Sequence, residues 1–367
     1  MKKSLLWLLI ILLAVSMVAT FSLAGCKEEA APAEEAAVEE APAEEEVAPA
    51  AGETLKIVYL TPSTDSGYWG VQVAVGVENA IVDIKKQYGV EVEYEMVGPV
   101  QENQFDEYMA TLEAVISQQP DGIVMGQLNP DAVAPLVQEA TEKGIRVNLV
   151  SIGVEPPLTG EQYGQLFYCD QPEQGKLAAE SYVASLQEKG LPLNGVTGVH
   201  MSIVVPILEE KINMFISTLQ ELAPDMTILE TQYNENDINN GIALMETQLA
   251  TYGDELVGFF GGNNVTGDAI VKVIEESGRS DSLVGIAVDS DTLEVEGMRN
   301  GYLDGLVVQT PYDQAYNATM GIAEFVLDGI DGPDSVNMPA SVVTPANMDT
   351  PEMQALLDPT ILKYEEE

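Results

Sequence analysis

Short apolar runs alternate with amphipathic stretches, one for one, from Leu55 to Leu327, and few folds satisfy that pattern. The runs are Leu55–Leu60, Val90–Met96, Gly122–Gly126, Arg146–Ser151, Val196–His200, Met226–Gln232, Leu256–Phe260, Leu283–Val288 and Leu306–Gln309. Helical spacing marks Val71–Tyr88, Gln104–Gln118, Pro130–Lys143, Gln171–Lys189, Pro206–Leu222, Ile238–Thr251, Val265–Glu276, Thr292–Asn300 and Pro311–Leu327. A strand that is apolar at nearly every position is buried on both faces, and helices intervening between such strands cover a parallel sheet on both sides. This many strands fit better as two sheets than as one. The chain is therefore expected to be α/β, with two doubly wound parallel-sheet lobes, the second starting near Asp170.

The 367 residues carry a formal net charge of −45. Such a chain has no basic footprint for nucleic acid and is repelled by anionic lipid headgroups. Part of the charge is local. Residues 27–53 are almost entirely Ala, Glu and Pro, a composition that buries no core and reads as an extended linker. Ahead of it, Met1-Lys2-Lys3 and an apolar run from Leu5 to about Leu23 fit a membrane anchor or a secretory signal. Leu23-Ala24-Gly25-Cys26 resembles the lipobox of bacterial lipoproteins. That resemblance implies a signal peptide over 1–25, a lipid anchor through Cys26, a linker over 26–54 and an extracytoplasmic position, periplasmic or at the cell surface. Cys169 is then left without a partner, so no disulfide is expected; a lone Cys is ordinarily a small buried side chain.

In Leu55–Ile81 the first strand runs into a polar turn, Thr61–Ser66, and Tyr68 and Trp69 stand where the loop leaves the strand. Ligands of open parallel sheets bind at that end, so the two rings either pack on a small molecule or staple the next helix. Polar residues recur after later strands: Gly126-Gln127-Leu128-Asn129-Pro130-Asp131, Ser151-Ile152, Tyr233-Asn234-Glu235-Asn236-Asp237, Gly261-Gly262-Asn263-Asn264, Val288-Asp289-Ser290-Asp291 and Gln309-Thr310-Pro311. A helix start adds Cys169-Asp170-Gln171, and the helix Pro206–Leu222 adds Glu210-Lys211-Ile212-Asn213-Met214-Phe215.

Taken together, and in this order, these loops resemble the sugar-binding type I periplasmic binding proteins, the ribose- and galactose-binding family of ABC importers. The resemblance runs from Leu55 to about Val343. In that family two adjacent aromatics sandwich the sugar, a role it implies for Tyr68 and Trp69, with Ser66 where an Asn often touches ligand. Asn263, Asp289 and Gln309 match an amide, a carboxylate and an amide that bind hydroxyls. Lys211 replaces an Arg, keeping the charge and losing the bidentate fork; a solvated surface Lys is the other reading. Asn236 is a contact or a plain turn residue, and Asp170 a contact or a helix N-cap. Asn129 or Asp131 likewise touches ligand or caps a helix. Ser151 stands where the family usually has an Asp, a departure that removes a charged clamp.

The resemblance further implies a three-strand hinge, with lobe one at 55–167 plus 310–339 and lobe two at 168–309 plus 340–362. It implies a monomeric solute-binding lipoprotein that takes a monosaccharide or similar polyol in the interlobe cleft and delivers it to an ABC permease, without cofactor or metal. Receptors for autoinducer-2 and for nucleosides share the architecture, and the aromatic pair suits a purine as well as a sugar. An enzyme is not expected. Asp289 and Asp291 lie two apart on one loop and cannot flank a glycosidic bond. No GxSxG elbow accompanies His200, the single histidine, and one His with one unpaired Cys makes no metal set.

Overall fold

The computed structural model describes residues 54–154 and 163–364. The expected signal peptide, Cys26 and the linker up to residue 53 lie outside the described residues. Thirteen strands and ten α-helices are formed among those described.

The first sheet holds β1 (Thr54–Leu60), β2 (Glu91–Val97), β3 (Gly122–Gly126), β4 (Arg146–Val150), β5 (Leu166–Tyr168) and β12 (Ser335–Asn337). Their order is β12-β5-β4-β3-β1-β2 and every pair is parallel. The second holds β6 (Val196–Met201), β7 (Thr227–Ile228), β8 (Gln232–Tyr233), β9 (Leu256–Gly261), β10 (Val284–Val288), β11 (Gly305–Val308) and β13 (Ser341–Val343). Its order is β13-β11-β10-β9-β6-β7, with β8 also beside β6 and only β13 antiparallel. This is the α/β arrangement of two doubly wound sheets that the strand–helix alternation predicts.

Alternation along each strand builds a core on both faces. Ile57 and Tyr59 of β1 pack with α1 (Ala74–Tyr88) and α9 (Pro311–Asp328) through Val77, Ile81, Ala318 and Ile322. Val58 and Leu60 turn the other way, onto Leu112 of α2 (Phe105–Gln118) and Val137 of α3 (Pro130–Glu142). In the second sheet Ile286 and Val288 of β10 meet Tyr182 of α4 (Gln171–Glu188) and Phe215 of α5 (Pro206–Leu222). Ala287 faces the opposite core, with Met245 of α6 (Ile238–Tyr252), Ile270 of α7 (Asn264–Ser277) and Met298 of α8 (Thr292–Arg299).

The chain passes between the sheets between β5 and α4, between β11 and α9, and between β12 and β13. Strands β5, β12 and β13 are three residues each, too short to show a period, and the sequence pattern alone does not predict them. The run Met226–Gln232, read as one strand, is instead two, β7 and β8, each pairing β6 over two residues. The tail adds α10 (Pro351–Leu357), whose Leu357 joins Met348 in the core beside β10. Beyond it Leu362 O accepts from Asn79 Nδ2 of α1 at 2.7 Å, and Tyr364 Oη donates to Asp83 at 2.9 Å. Cys169 is free and buried, as a lone small side chain is expected to be.

His200 closes the core of the second sheet rather than any surface site. Its Nε2 lies 3.0 Å from Gln248 Oε1 and its ring stands edge-on to Phe259. Burial pulls the imidazole down to about 4 from its ordinary value. The unfolded imidazole takes a proton first as pH falls, so this contribution is full above about pH 6.5 and is lost on the way down to pH 4. Chemical denaturation of the wild type and of His200→Asn at pH 7.5 and 4.5 should show the wild type losing on the order of 2–3 kcal/mol more. A gap between the two that ignores pH contradicts this.

Candidate functional site

In each sheet the strand order reverses once, between β1 and β3 and between β6 and β9, and the carboxyl ends at such a point leave a crevice. The two crevices face each other across one cavity of about 520 Å³, counting all the space between its walls, mouth included.

The wall from the first sheet begins after β1, where the chain makes a wide π-helical turn over Gly67–Val73. Such turns are rare and recur at functional sites. Ser66 caps it, its Oγ accepting from Trp69 N at 3.3 Å. Tyr59 Oη donates to Trp69 O at 2.8 Å, which pins the turn to β1. The Trp69 ring lies on Gly126 at the end of β3, so close that a Cβ there would meet the ring at 2.6 Å. Tyr68 and Trp69 stand edge to face, 4.8 Å apart at 78°. They line the cavity together, with their rings perpendicular. Leu128, Ser151 and Ile152 complete this wall.

Asn263, Asp289 and Gln309, at the ends of β9, β10 and β11, enter the same cavity from the second sheet, with Lys211 from α5. Ser151 and Asp289 hold φ of +68° and +78°, and Asn236 nearby +59°. Non-glycine residues in that left-handed region are uncommon and gather at binding sites. Gln309 Nε2 donates to Asp289 Oδ1 at 2.6 Å. Burial pushes the Asp289 carboxyl up, opposed by the Lys211 charge; burial likewise pulls Lys211 down, opposed by Asp289. Lys211 is 2% exposed, which removes the reading of a solvated lysine, and its Nζ donates to Gln174 Oε1 at 3.3 Å.

The remaining expected residues are placed differently. Asp170 caps α4, accepting from Glu173 N at 2.7 Å, and does not line the cavity; the neighbouring Gln171 does. Ser66 and Asn236 line an adjoining outer cavity at the mouth. Asn263 reaches the wall with its amide committed: Oδ1 accepts from Thr266 Oγ1 at 2.9 Å and Nδ2 donates to Ser202 Oγ at 2.8 Å. Asn129 makes no side-chain bond at the start of α3.

Glu102, Gln171 and Ser202 also line the cavity; Glu102 and Ser202 stand in no motif, and Gln171 stands in one in which only Asp170 is a candidate contact. Their position just past a strand end or at a helix start was the available signal. Glu102 follows β2 and borders both cavities. Burial and the Asp289 charge push its carboxyl up to about 7, while Ser66, Asn236 and Trp69 side chains turned toward it act the other way. Three residues lining the cavity carry a buried oxygen with no hydrogen-bond partner within bonding geometry, Tyr68 Oη, Gln171 Oε1 and Gln309 Oε1, the Ser151 side chain being turned toward the first. Among the described residues no cluster of three or more His, Cys, Asp or Glu is placed to hold a metal.

Gly126→Ala should push the Trp69 ring off its seat, at a cost of about 1–3 kcal/mol for overpacking. Near-ultraviolet circular dichroism of the aromatic pair should change with it. An unaltered spectrum and unaltered stability would mean the ring is not seated on Gly126.

Residues 57–329 match the model of the periplasmic binding protein domain. No curated protein matches the sequence. Among solved structures, a carbohydrate transporter solute-binding protein from Agrobacterium radiobacter in complex with D-arabinose is 24% identical. It superposes with a TM-score of 0.72 over 83% of this chain and 98% of its own. An ABC transporter solute-binding protein from Agrobacterium vitis with bound D-fucose is 21% identical, with a TM-score of 0.72 over 83% and 100%. A glucose-galactose binding protein from Geobacillus stearothermophilus is 20% identical, with a TM-score of 0.68 over 81% and 100%. At these identities the structures share the fold. No helix among the described residues is long and apolar enough to cross a membrane. With the family model spanning both sheets and the crevices between them, this chain belongs to the periplasmic binding protein domain family.

Proposed function

We propose that the protein is an extracytoplasmic solute receptor that takes a monosaccharide or similar polyol into the cleft and hands it to an ABC permease. The observation that carries this reading is the set of buried oxygens without a protein donor, Tyr68 Oη, Gln171 Oε1 and Gln309 Oε1, beside the Asp289 carboxylate. A buried acceptor left unpaired costs about 1–3 kcal/mol, and a ring of hydroxyls supplies the missing donors. The C–H face of a sugar packs on an indole, which gives Trp69 its part. The sugars bound in the Agrobacterium relatives support the same ligand class.

In this reading lobe one is 55–167 plus 310–339 and lobe two 168–309 plus 340–362, and ligand bridging both favours the closed form. The chain binds and releases, with no bond made or broken. Lipidation of Cys26 tethers it, and the acidic linker gives it reach toward the permease as a monomer.

A thermal-shift screen against monosaccharides, polyols, nucleosides and autoinducer-2 tests the class. Ligand at 100 times its Kd adds about 2.7 kcal/mol to the folded state. Shifts with sugars support the reading, and shifts with nucleosides alone overturn it. Asp289→Ala should keep the fold and weaken binding by about 2 kcal/mol, since a hydroxyl loses a charged acceptor. Calorimetric affinity within twofold of wild type would place the ligand elsewhere.

A further inference from the structure

The cavity carries more negative charge than a neutral sugar needs. Lys211 is the sole cation among its lining residues and answers Asp289, which leaves Glu102 without a counter-charge. Nothing at the mouth repairs this. The adjoining outer cavity is lined by Asp65, Glu102, Glu235, Asp237 and Asp291 and by no Lys, Arg or His. The wall shared with Glu102 is the Tyr68–Trp69 pair, and aromatic faces attract cations through their quadrupole. The orphaned Tyr68, Gln171 and Gln309 oxygens ask for donors, of which an ammonium has three.

We infer that Glu102 is a ligand-recognition residue and that the cleft prefers a polyol bearing a protonated amine, an aminodeoxy sugar, to its neutral parent and rejects sugar acids. The inference rests on the proposed receptor function and narrows its ligand class. The carboxyl's position agrees with it: burial beside Asp289 holds Glu102 up near 7, where a cationic ligand would pull it back down. The outer carboxylates extend the same negative potential to the entrance, which concentrates cations there.

The test is calorimetric titration of the full-length protein at pH 7.5 with D-glucose, D-galactose, their 2-amino-2-deoxy derivatives and the corresponding uronates. The amino sugar should bind at least tenfold tighter than its neutral parent, and the uronate should not bind measurably. Glu102→Gln should erase that preference, so that the amino sugar and its neutral parent bind within about threefold of each other. Glu102→Asp, which keeps the charge should the amide variant not fold, should retain part of it. A neutral parent that binds as tightly as its amine overturns this inference and leaves the receptor function standing. An amine preference that survives in Glu102→Gln overturns the assignment to Glu102. No binding by any of the six sugars counts against both.

Discussion

Right-handed crossovers put helices on both faces of a parallel sheet only if the strand order reverses somewhere, and at that reversal neighbouring loops diverge. Both sheets of this protein reverse, at β1/β3 and β6/β9, and the two openings share one cavity. Most of what faces the cavity stands at the end of an apolar strand or near the start of a helix. The strands are fixed by cores on both faces, so their last residues are held rigidly and carry side chains inward. The left-handed backbone at Ser151 and Asp289 is the local cost of turning those side chains into the opening.

The cavity balances burial against satisfaction. Asp289 keeps one oxygen on Gln309 and lies in the field of Lys211, so its charge is partly met from within the protein. The free oxygens of Tyr68, Gln171 and Gln309 are not met. Such groups are costly to bury unpaired, and in the proposed receptor a ligand that supplies donors to both walls would favour a closed form.

Much of this was legible in the sequence. The strand–helix alternation was readable because strands buried on both faces are apolar throughout; Asp289 and Gln309 were readable because they close such strands, and Tyr68 and Trp69 because they follow the polar turn after the first. Lys211 entered through a local motif, and its burial shows only in the fold. What stayed hidden was short or indirect. The three-residue strands β5, β12 and β13 have no period to detect, and α10 is a single short helix in a polar tail. Asp170 and Gln171 are neighbours at one helix start, and sequence alone cannot say that the first caps the helix while the second faces the cavity. The edge-to-face packing of Tyr68 and Trp69 depends on Gly126, over fifty residues away. Glu102 becomes a site residue only when the loop after β2 meets the second sheet.

Trp69 lies in the cavity wall, and the chain's other tryptophan, Trp7 in the amino-terminal apolar run, can be replaced by Phe. Intrinsic fluorescence therefore reads the cleft directly. Titration with the monosaccharide that gives the largest thermal shift should move the Trp69 emission in a saturable way, with a Kd equal to the calorimetric one. Calorimetric binding with no change in that emission would put the ligand outside the cleft and contradict the account.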